Sequence, residues 1–150
     1  MASGLIHLKK IRRERRGDLA QVIEIDARIT GLRKSAYWAG IQRRYGGRAP
    51  QRFFFVAEAA GRVEGYVVGE VRDWEFGSPP CGWVFGIGVR PGVRLRGTGT
   101  ALLEAICGAF RRCGVDKVRT LLARDNGLVL AFFRSQGMTA APVIPLERDL

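Results

Sequence analysis

Apolar positions along this chain change their period several times, and each change marks an element. Leu5 to Arg13 reads as a first strand, and Gly17 breaks the pattern. Asp18 then offers an N-cap, with Gln21 three residues on completing a capping-box-like pair, while Leu19, Val22 and Ile23 give the helix an apolar face. Leu32, Trp38, Ile41 and Tyr45 predict a second helix, which Gly46-Gly47 and Pro50 stop. From Gln51 the period shortens. Phe53 to Ala57 and Val63 to Val71 are rich in β-branched and aromatic residues, with Ala60-Gly61-Arg62 between them as the turn of a hairpin. After the turn residues Gly77-Ser78-Pro79-Pro80, Trp83 to Val89 is a third consecutive antiparallel strand. Ala101, Leu102, Ala105, Ile106, Ala109 and Phe110 recur at helical spacing and end near Cys113-Gly114. Val118 to Ala123 follows as a strand, Leu128 to Ser135 as a helix begun by Asp125 or Asn126, and Met138 to Leu146 as a closing strand. The order is βααβββαβαβ, with no internal repeat or linker. It predicts one α/β domain over residues 1–150, whose sheet is mostly antiparallel in its first half and carries a βαβ unit in its second.

Composition narrows the setting. A chain of 150 residues with 47% hydrophobic content has enough to build one core. No apolar run approaches the roughly 18 residues of a membrane span, and Met1 to Arg16 is polar and basic without an apolar signal core. The expected location is the cytoplasm. Cys81, Cys107 and Cys113 form no close pair, so reduced thiols are expected. With His7 as the single histidine and no Cys-x-x-Cys, no metal is expected. The formal charge is +11, and residues 1–50 hold 12 basic against 4 acidic side chains. Such a field attracts polyanions of any kind, including nucleic acid and cofactor phosphates. Lys9, Lys10, Arg12, Arg13, Arg15 and Arg16 read equally as a charged edge strand or as a binding segment.

The chemistry concentrates between the third hairpin strand and the helix after it, in Val89-Arg90-Pro91-Gly92-Val93-Arg94-Leu95-Arg96-Gly97-Thr98-Gly99-Thr100. Glycines at 97 and 99 let backbone N–H groups turn outward, and the helix starting there adds a partial positive charge. Arg94 and Arg96 supply full charges, as a pyrophosphate requires. A Walker A loop is excluded, since no lysine occurs between Lys34 and Lys117. A dinucleotide fingerprint is excluded as well: Leu102 stands where its third glycine belongs, and Asp116 sits at the wrong end of the next strand.

These residues resemble the GNAT superfamily of acetyltransferases, whose acyl-CoA loop reads Arg/Gln-x-x-Gly-x-Gly/Ala; Arg94-Leu95-Arg96-Gly97-Thr98-Gly99 fits it without a gap. Ile87-Gly88-Val89-Arg90-Pro91 resembles the end of that family's fourth strand, and Asn126, Phe132-Phe133 and Gly137-Met138 resemble its second signature. The resemblance implies the GNAT fold, with a mixed sheet of about six to seven strands and about four helices. It further implies a V-shaped opening between strands four and five, pantetheine along the backbone of Ile87, Gly88 and Val89, and pyrophosphate on the N–H groups of Leu95 to Thr100. Asn126 would reach the pantetheine or cap the fourth helix, and Phe133 occupies the position of the family's usual tyrosine acid.

What the resemblance implies about activity is transfer of an acetyl group from acetyl-CoA to an amine. That needs a held oxyanion, for which the Val89 backbone N–H is the candidate, and a route for the amine proton. Strand four offers no acidic or histidine side chain; the nearest carboxylates are Glu70, Asp73 and Glu75, on the end of strand three and the following loop, and Glu75 is the candidate base. Phenylalanine at 133 cannot protonate the leaving sulfur; water, Tyr37 or Tyr45 would substitute, and a thiol of pKa roughly 8.5 leaves as thiolate readily. Arg28, Arg33, Lys34, Tyr37, Trp38, Arg43 and Arg44 on the acceptor side suggest an acidic or carboxylate-bearing amine. Three functions stay open: an N-acetyltransferase, a catalytically silent acyl-CoA sensor, and a nucleic-acid-associated protein. The last is disfavoured because no aromatics interleave the basic segment. A homodimer also stays open.

Overall fold

The computed structural model describes residues 9–93 and 97–150. It falls into two compact units, Met1–Thr120 and Leu121–Leu150. The first holds β1 (Lys10–Arg13), α1 (Leu19–Thr30), α2 (Ser35–Tyr45), β2 (Arg52–Ala59), β3 (Arg62–Arg72), β4 (Cys81–Val89), α3 (Thr98–Arg112) and β5 (Val118–Thr120). The second holds α4 (Gly127–Ser135) and the residues after it. Among the described residues the strands form one sheet in the order β1-β2-β3-β4-β5; the first three pairings are antiparallel and β4·β5 is parallel.

The β2–β3 hairpin closes on Ala60 and Gly61, both at positive φ (51° and 73°), the handedness that matches strand twist in a two-residue turn. α1 and α2 cover one face, where Val22, Ile25, Trp38 and Ile41 pack with Phe54, Val56, Tyr66 and Val68. Each such side chain contributes about 1.5–3 kcal/mol relative to exposure. α3 covers the other face and presses on glycines. Leu102 and Thr98 lie over Gly65, Ile106 and Phe110 over Gly69, and the Phe110 ring fills the place a Cβ on Gly82 would take.

Several expectations change. The closing strand Met138–Leu146 does not form, so the sheet has five strands among the described residues, not six to seven. Pro142 and Pro145 explain this, because each removes a ladder donor from a segment that otherwise looks apolar enough. The first strand begins at Lys10, with Leu5 to Leu8 outside the described residues. β5 stops at Thr120, three residues short of Ala123. Asp18 and Gln21 make no capping pair. The Asp18 carboxylate accepts from Arg15 N–H (2.7 Å) and Arg12 (2.7 and 3.0 Å), and Gln21 Oε1 accepts from Val63 N–H (2.9 Å). Asp18 thus ties the end of β1 to the turn before α1, and Gln21 joins α1 to β3, 42 residues on. Burial alone would raise the Asp18 pKa, but the Arg12 and Arg15 bonds outweigh it and hold the carboxyl below its usual range.

The basic first strand is likewise spent on the fold. Arg12 also grips Glu58 (2.6 Å), and Arg13 lies over the Phe53 and Phe55 rings while donating to Gly47 O (2.8 Å). Of its two readings, the charged edge strand is the one these contacts support.

Candidate functional site

β4 changes character midway. Its parallel ladder with β5 runs from Gly82↔Val118 to Val84↔Thr120, and Thr120 Oγ1 closes it by donating to Val84 O (2.9 Å). The register with β3 then slips, so that Val68 faces Gly86 and Gly69 faces Val84. Phe85 is the extra residue of a bulge, which bends a strand and re-aims its side chains. Beyond it, among the described residues, no strand pairs with the β5 side of β4.

The direction of the free groups follows from one bond. Arg90 N–H donates to Glu64 O (2.7 Å) while Gly65 faces Val89. In an antiparallel ladder this makes Gly65·Val89 a non-hydrogen-bonded pair, and Ile87·Val67, two residues earlier, another. The N–H and C=O groups of Ile87 and Val89 thus point away from β3, toward the unpaired edge. Gly88 keeps its groups in the ladder, and the Tyr66 ring lies across it, within 2.7 Å of where a Cβ would sit. Burial, then the Asp26 carboxylate, pushes the Tyr66 phenol well above its ordinary pKa.

Where β4 ends, Arg90 fastens the chain. Its guanidinium, 2% exposed, donates to Val63 O from Nε and Nη2 (3.1 and 3.0 Å), pairs with Glu24 (3.0 Å) and reaches Gln21 Oε1 (3.4 Å). Arg94, Leu95 and Arg96 lie outside the described residues. Gly97 sits at φ +76°, a conformation that favours glycine, directly before α3. Thr98 is buried, and its Oγ1 has no hydrogen-bond partner among the described residues. Gly99 and Thr100 complete the first turn, and Ala101 N–H already bonds Gly97 O. The open edge of β4 and a helix N-terminus with its orphan N–H groups therefore belong to one continuous run of chain. The first offers rungs to an extended amide and the second a place for an anion.

The candidate base is elsewhere. Glu75 is exposed in a short helical turn before β4, at the Cys81 end of the strand. Val89 ends the same strand eight residues on, about 26 Å at a rise of roughly 3.3 Å per residue, so the structure does not bring the two together. The carboxylate beside the bulge is Glu70, which pairs with Arg52 (3.4 Å) and Arg72 (3.2 Å). Tyr45 packs edge-on to Phe85 (5.9 Å), and burial followed by the Glu70 charge raises its phenol. Tyr37 is exposed. Of the acceptor-side cations, Lys34 pairs with buried Asp26 (3.0 Å), which also accepts from Trp38 Nε1 (2.9 Å). Arg44 stacks on Tyr45 (5.7 Å), and Arg28, Arg33 and Arg43 are exposed.

In the second unit, Asn126 Oδ1 caps α4 by accepting Val129 N–H (3.3 Å). Of its two expected roles this is the one the structure displays. Phe133 is buried, with its ring 5.2 Å from that of Phe132. Among the described residues no group of three or more His, Cys, Asp or Glu gathers as a metal site, and no helix is long and apolar enough to cross a membrane.

The anchoring role of Arg90, the place of Tyr66 and the pairing of Glu70 with Arg52 and Arg72 escape a reading of the sequence. A signal for Arg90 exists, a charged residue closing an apolar strand just before Pro91. Tyr66 opposite Gly88 follows once the hairpin register is fixed. The Glu70 cluster unites three strands and has no local signal.

The model of the acetyltransferase (GNAT) family matches residues 19–138. The chain belongs to that family. A relative, the L-2,4-diaminobutyric acid acetyltransferase of Nocardia farcinica, is 37% identical over 78 residues, 52% of this chain and 39% of that protein. The match thus spans about two fifths of the relative's length. Among solved structures, an aminoglycoside N-acetyltransferase in complex with CoA superposes with a TM-score of 0.83 at 18% identity, covering 95% of each chain. An aminoglycoside antibiotic 6'-N-acetyltransferase of Acinetobacter baumannii gives 0.79 at 16%, covering 95% of this chain and 99% of that one. At these identities the structural likeness establishes the fold.

Proposed function

We propose that this chain is an acetyl-CoA-dependent N-acetyltransferase. The observation that carries the reading is the unpaired edge of β4, where Ile87 and Val89 present N–H and C=O groups and lead into the N-terminus of α3. Acetyl-CoA supplies an activated acetyl group as a thioester. The reaction breaks its C–S bond and forms an amide C–N bond; starting from the ammonium form, one proton goes to solvent to free the amine and a second ends on the departing sulfur, which leaves as a thiol.

Each group has a task. Gly97 to Thr100 and the start of α3 hold the pyrophosphate, with Arg94 and Arg96 as countercharges. Val89 and Ile87 hold the pantetheine amides as a neighbouring strand would. Because Val89 lies next to the phosphate end, the thioester falls nearer Ile87 and the bulge, and the Ile87 N–H takes over the oxyanion role first given to Val89. The amine proton leaves through solvent, since both oxygens of Glu70 are already engaged by Arg52 and Arg72. The sulfur departs as thiolate and takes its proton from water, which suits a chain with Phe133 where the family's tyrosine stands. The acceptor is an amine, and the surplus of arginine on its side favours an anionic one.

Calorimetric titration with acetyl-CoA, CoA and adenosine diphosphate tests the site, against a Gly97→Glu variant. Micromolar binding is expected, weakened about a hundredfold by a carboxylate placed at the phosphate (about 2.7 kcal/mol). Release of free thiol with a panel of amines tests turnover. Binding without turnover would favour the acyl-CoA sensor, to which Phe133 and the absence of an acidic residue in β4 point. Absence of binding would sink both.

A further inference from the structure

The face of the sheet that carries Phe85 also carries a cationic cluster with too little negative charge to balance it. Glu70 is 14% exposed, and Arg52 and Arg72 hold its two oxygens. Arg52 and Arg44 both lie over the Tyr45 ring, at 5.6 and 5.7 Å. Arg72 lies over the Phe85 ring at 5.2 Å. Two guanidiniums thus hold one carboxylate and a third lies on the neighbouring Tyr45 ring, while among the described residues Asp73 and Glu75 in the following turn make no ion pair with any of them.

Of the three, Arg72 is the one poised to take a ligand. Its side chain is 36% exposed, and its nearest approach to Glu70 is Nη2 to Oε1 at 3.2 Å, one contact for a fork of five N–H donors. Stacking on Phe85 fixes the plane of the fork, which lowers the entropy cost of gripping a planar anion. Phe85 is the bulged residue of β4, at the point where the strand leaves β5. We infer that Arg72 is the residue that selects the acceptor, by binding a carboxylate on the amine substrate while the Phe85 edge supports its aliphatic chain. The inference rests on the reading of β4 as the acyl-CoA strand, because only then does the bulge lie at the acyl end.

The consequence is an acceptor of amino-acid type, with an amine a few carbons from a carboxylate. A polycationic acceptor is disfavoured, since it would bring several ammonium groups to a surface that is already cationic. This places Arg72 where sequence alone suggested Arg33 and Lys34, and the ion pair of Lys34 with Asp26 agrees with the change. The step itself stays balanced, because Arg72 neither gives nor takes a proton.

The test is calorimetry on CoA-saturated protein, titrated with L-2,4-diaminobutyric acid and, separately, with the diamine left when its carboxyl is removed. L-lysine and its decarboxylated diamine form a second pair. Wild type is expected to bind at least one acid about tenfold tighter than its partner, as one charge-assisted contact of about 1.4 kcal/mol provides. Arg72→Gln should bring that ratio to about one, and Arg72→Lys should retain part of it. Thermal melts of the same samples show whether Arg72→Gln is folded; if it is not, the Arg72→Lys ratio decides, with an unchanged ratio counting against the inference. Equal binding of acid and diamine by wild type, or tighter binding of an aminoglycoside, overturns it. CoA titration in parallel separates the two readings. Binding of CoA without a carboxylate preference overturns this inference alone, an Arg72-dependent preference without CoA binding overturns only the acyl-CoA reading, and loss of both overturns both.

Discussion

The two halves of β4 share a strand but not an environment. From Gly82 to Val84 the backbone is paired on both sides, and Phe110 occupies the space above Gly82. From Gly86 to Val89, past the bulged Phe85, it is paired on one side only, and the nearest atoms to a Cβ on Gly86 would be Tyr66 and Trp38 at 3.7 and 3.9 Å. The first half is held by its neighbours, and the second leaves backbone groups for something else to hold. A sheet thus leaves backbone donors and acceptors open by ending one strand three residues into its ladder.

Substitutions at equivalent chemistry should separate the halves. Gly82→Ala overpacks the buried Phe110 ring, and a loss of about 1–3 kcal/mol is expected in urea unfolding. A neutral result would show that the closed half is looser than described. Thr120→Val removes the last bond that ties β5 to β4 and should cost about 1 kcal/mol. If acetyl-CoA affinity instead rises in that variant, the ladder end is limiting the opening. Tyr66 supports the open half and supplies a pH signature. Its phenol is raised by burial, so its share of stability is complete below the ordinary tyrosine pKa of about 10 and is lost as pH rises through the higher folded value. Tyr66→Phe should abolish that alkaline decline in a melting series, and an identical decline in both proteins would remove Tyr66 as its source. The smallest effect belongs to Gly86→Ala, where an added methyl meets only ordinary contacts. It should stabilise by about 0.5 kcal/mol through reduced chain entropy, or change nothing measurable by the same unfolding assay.

Much of the fold is legible in the sequence because burial enforces the periods. The hairpin at Ala60-Gly61, the helix carrying Leu102, Ile106 and Phe110, and the antiparallel-then-parallel sheet all follow from local pattern. The closing strand misleads because Val143, Ile144 and Leu146 are apolar, while the donors lost at Pro142 and Pro145 decide the outcome. The site is legible in part. Glycine and arginine at 94 to 99 announce an anion, since loop chemistry is contiguous. Which atoms of Ile87 and Val89 are free depends on register and on where β5 stops, and neither is written in those residues. Asp18 and Gln21 show the same limit, as spacing suited to a cap serves instead to join strands and helix.

Arg90 carries a consequence for the order in which this protein assembles. Its partners Glu24 and Gln21 lie 66 and 69 positions earlier in the chain, whereas Val63 lies 27 earlier. Closing separations of that length is entropically slow, so the hairpin side of the anchor forms ahead of the helix side. The loop between β4 and α3 gains its full mooring only once α1 has docked. Competence to bind is therefore a late product of folding, and in a refolding experiment it should trail the appearance of the sheet.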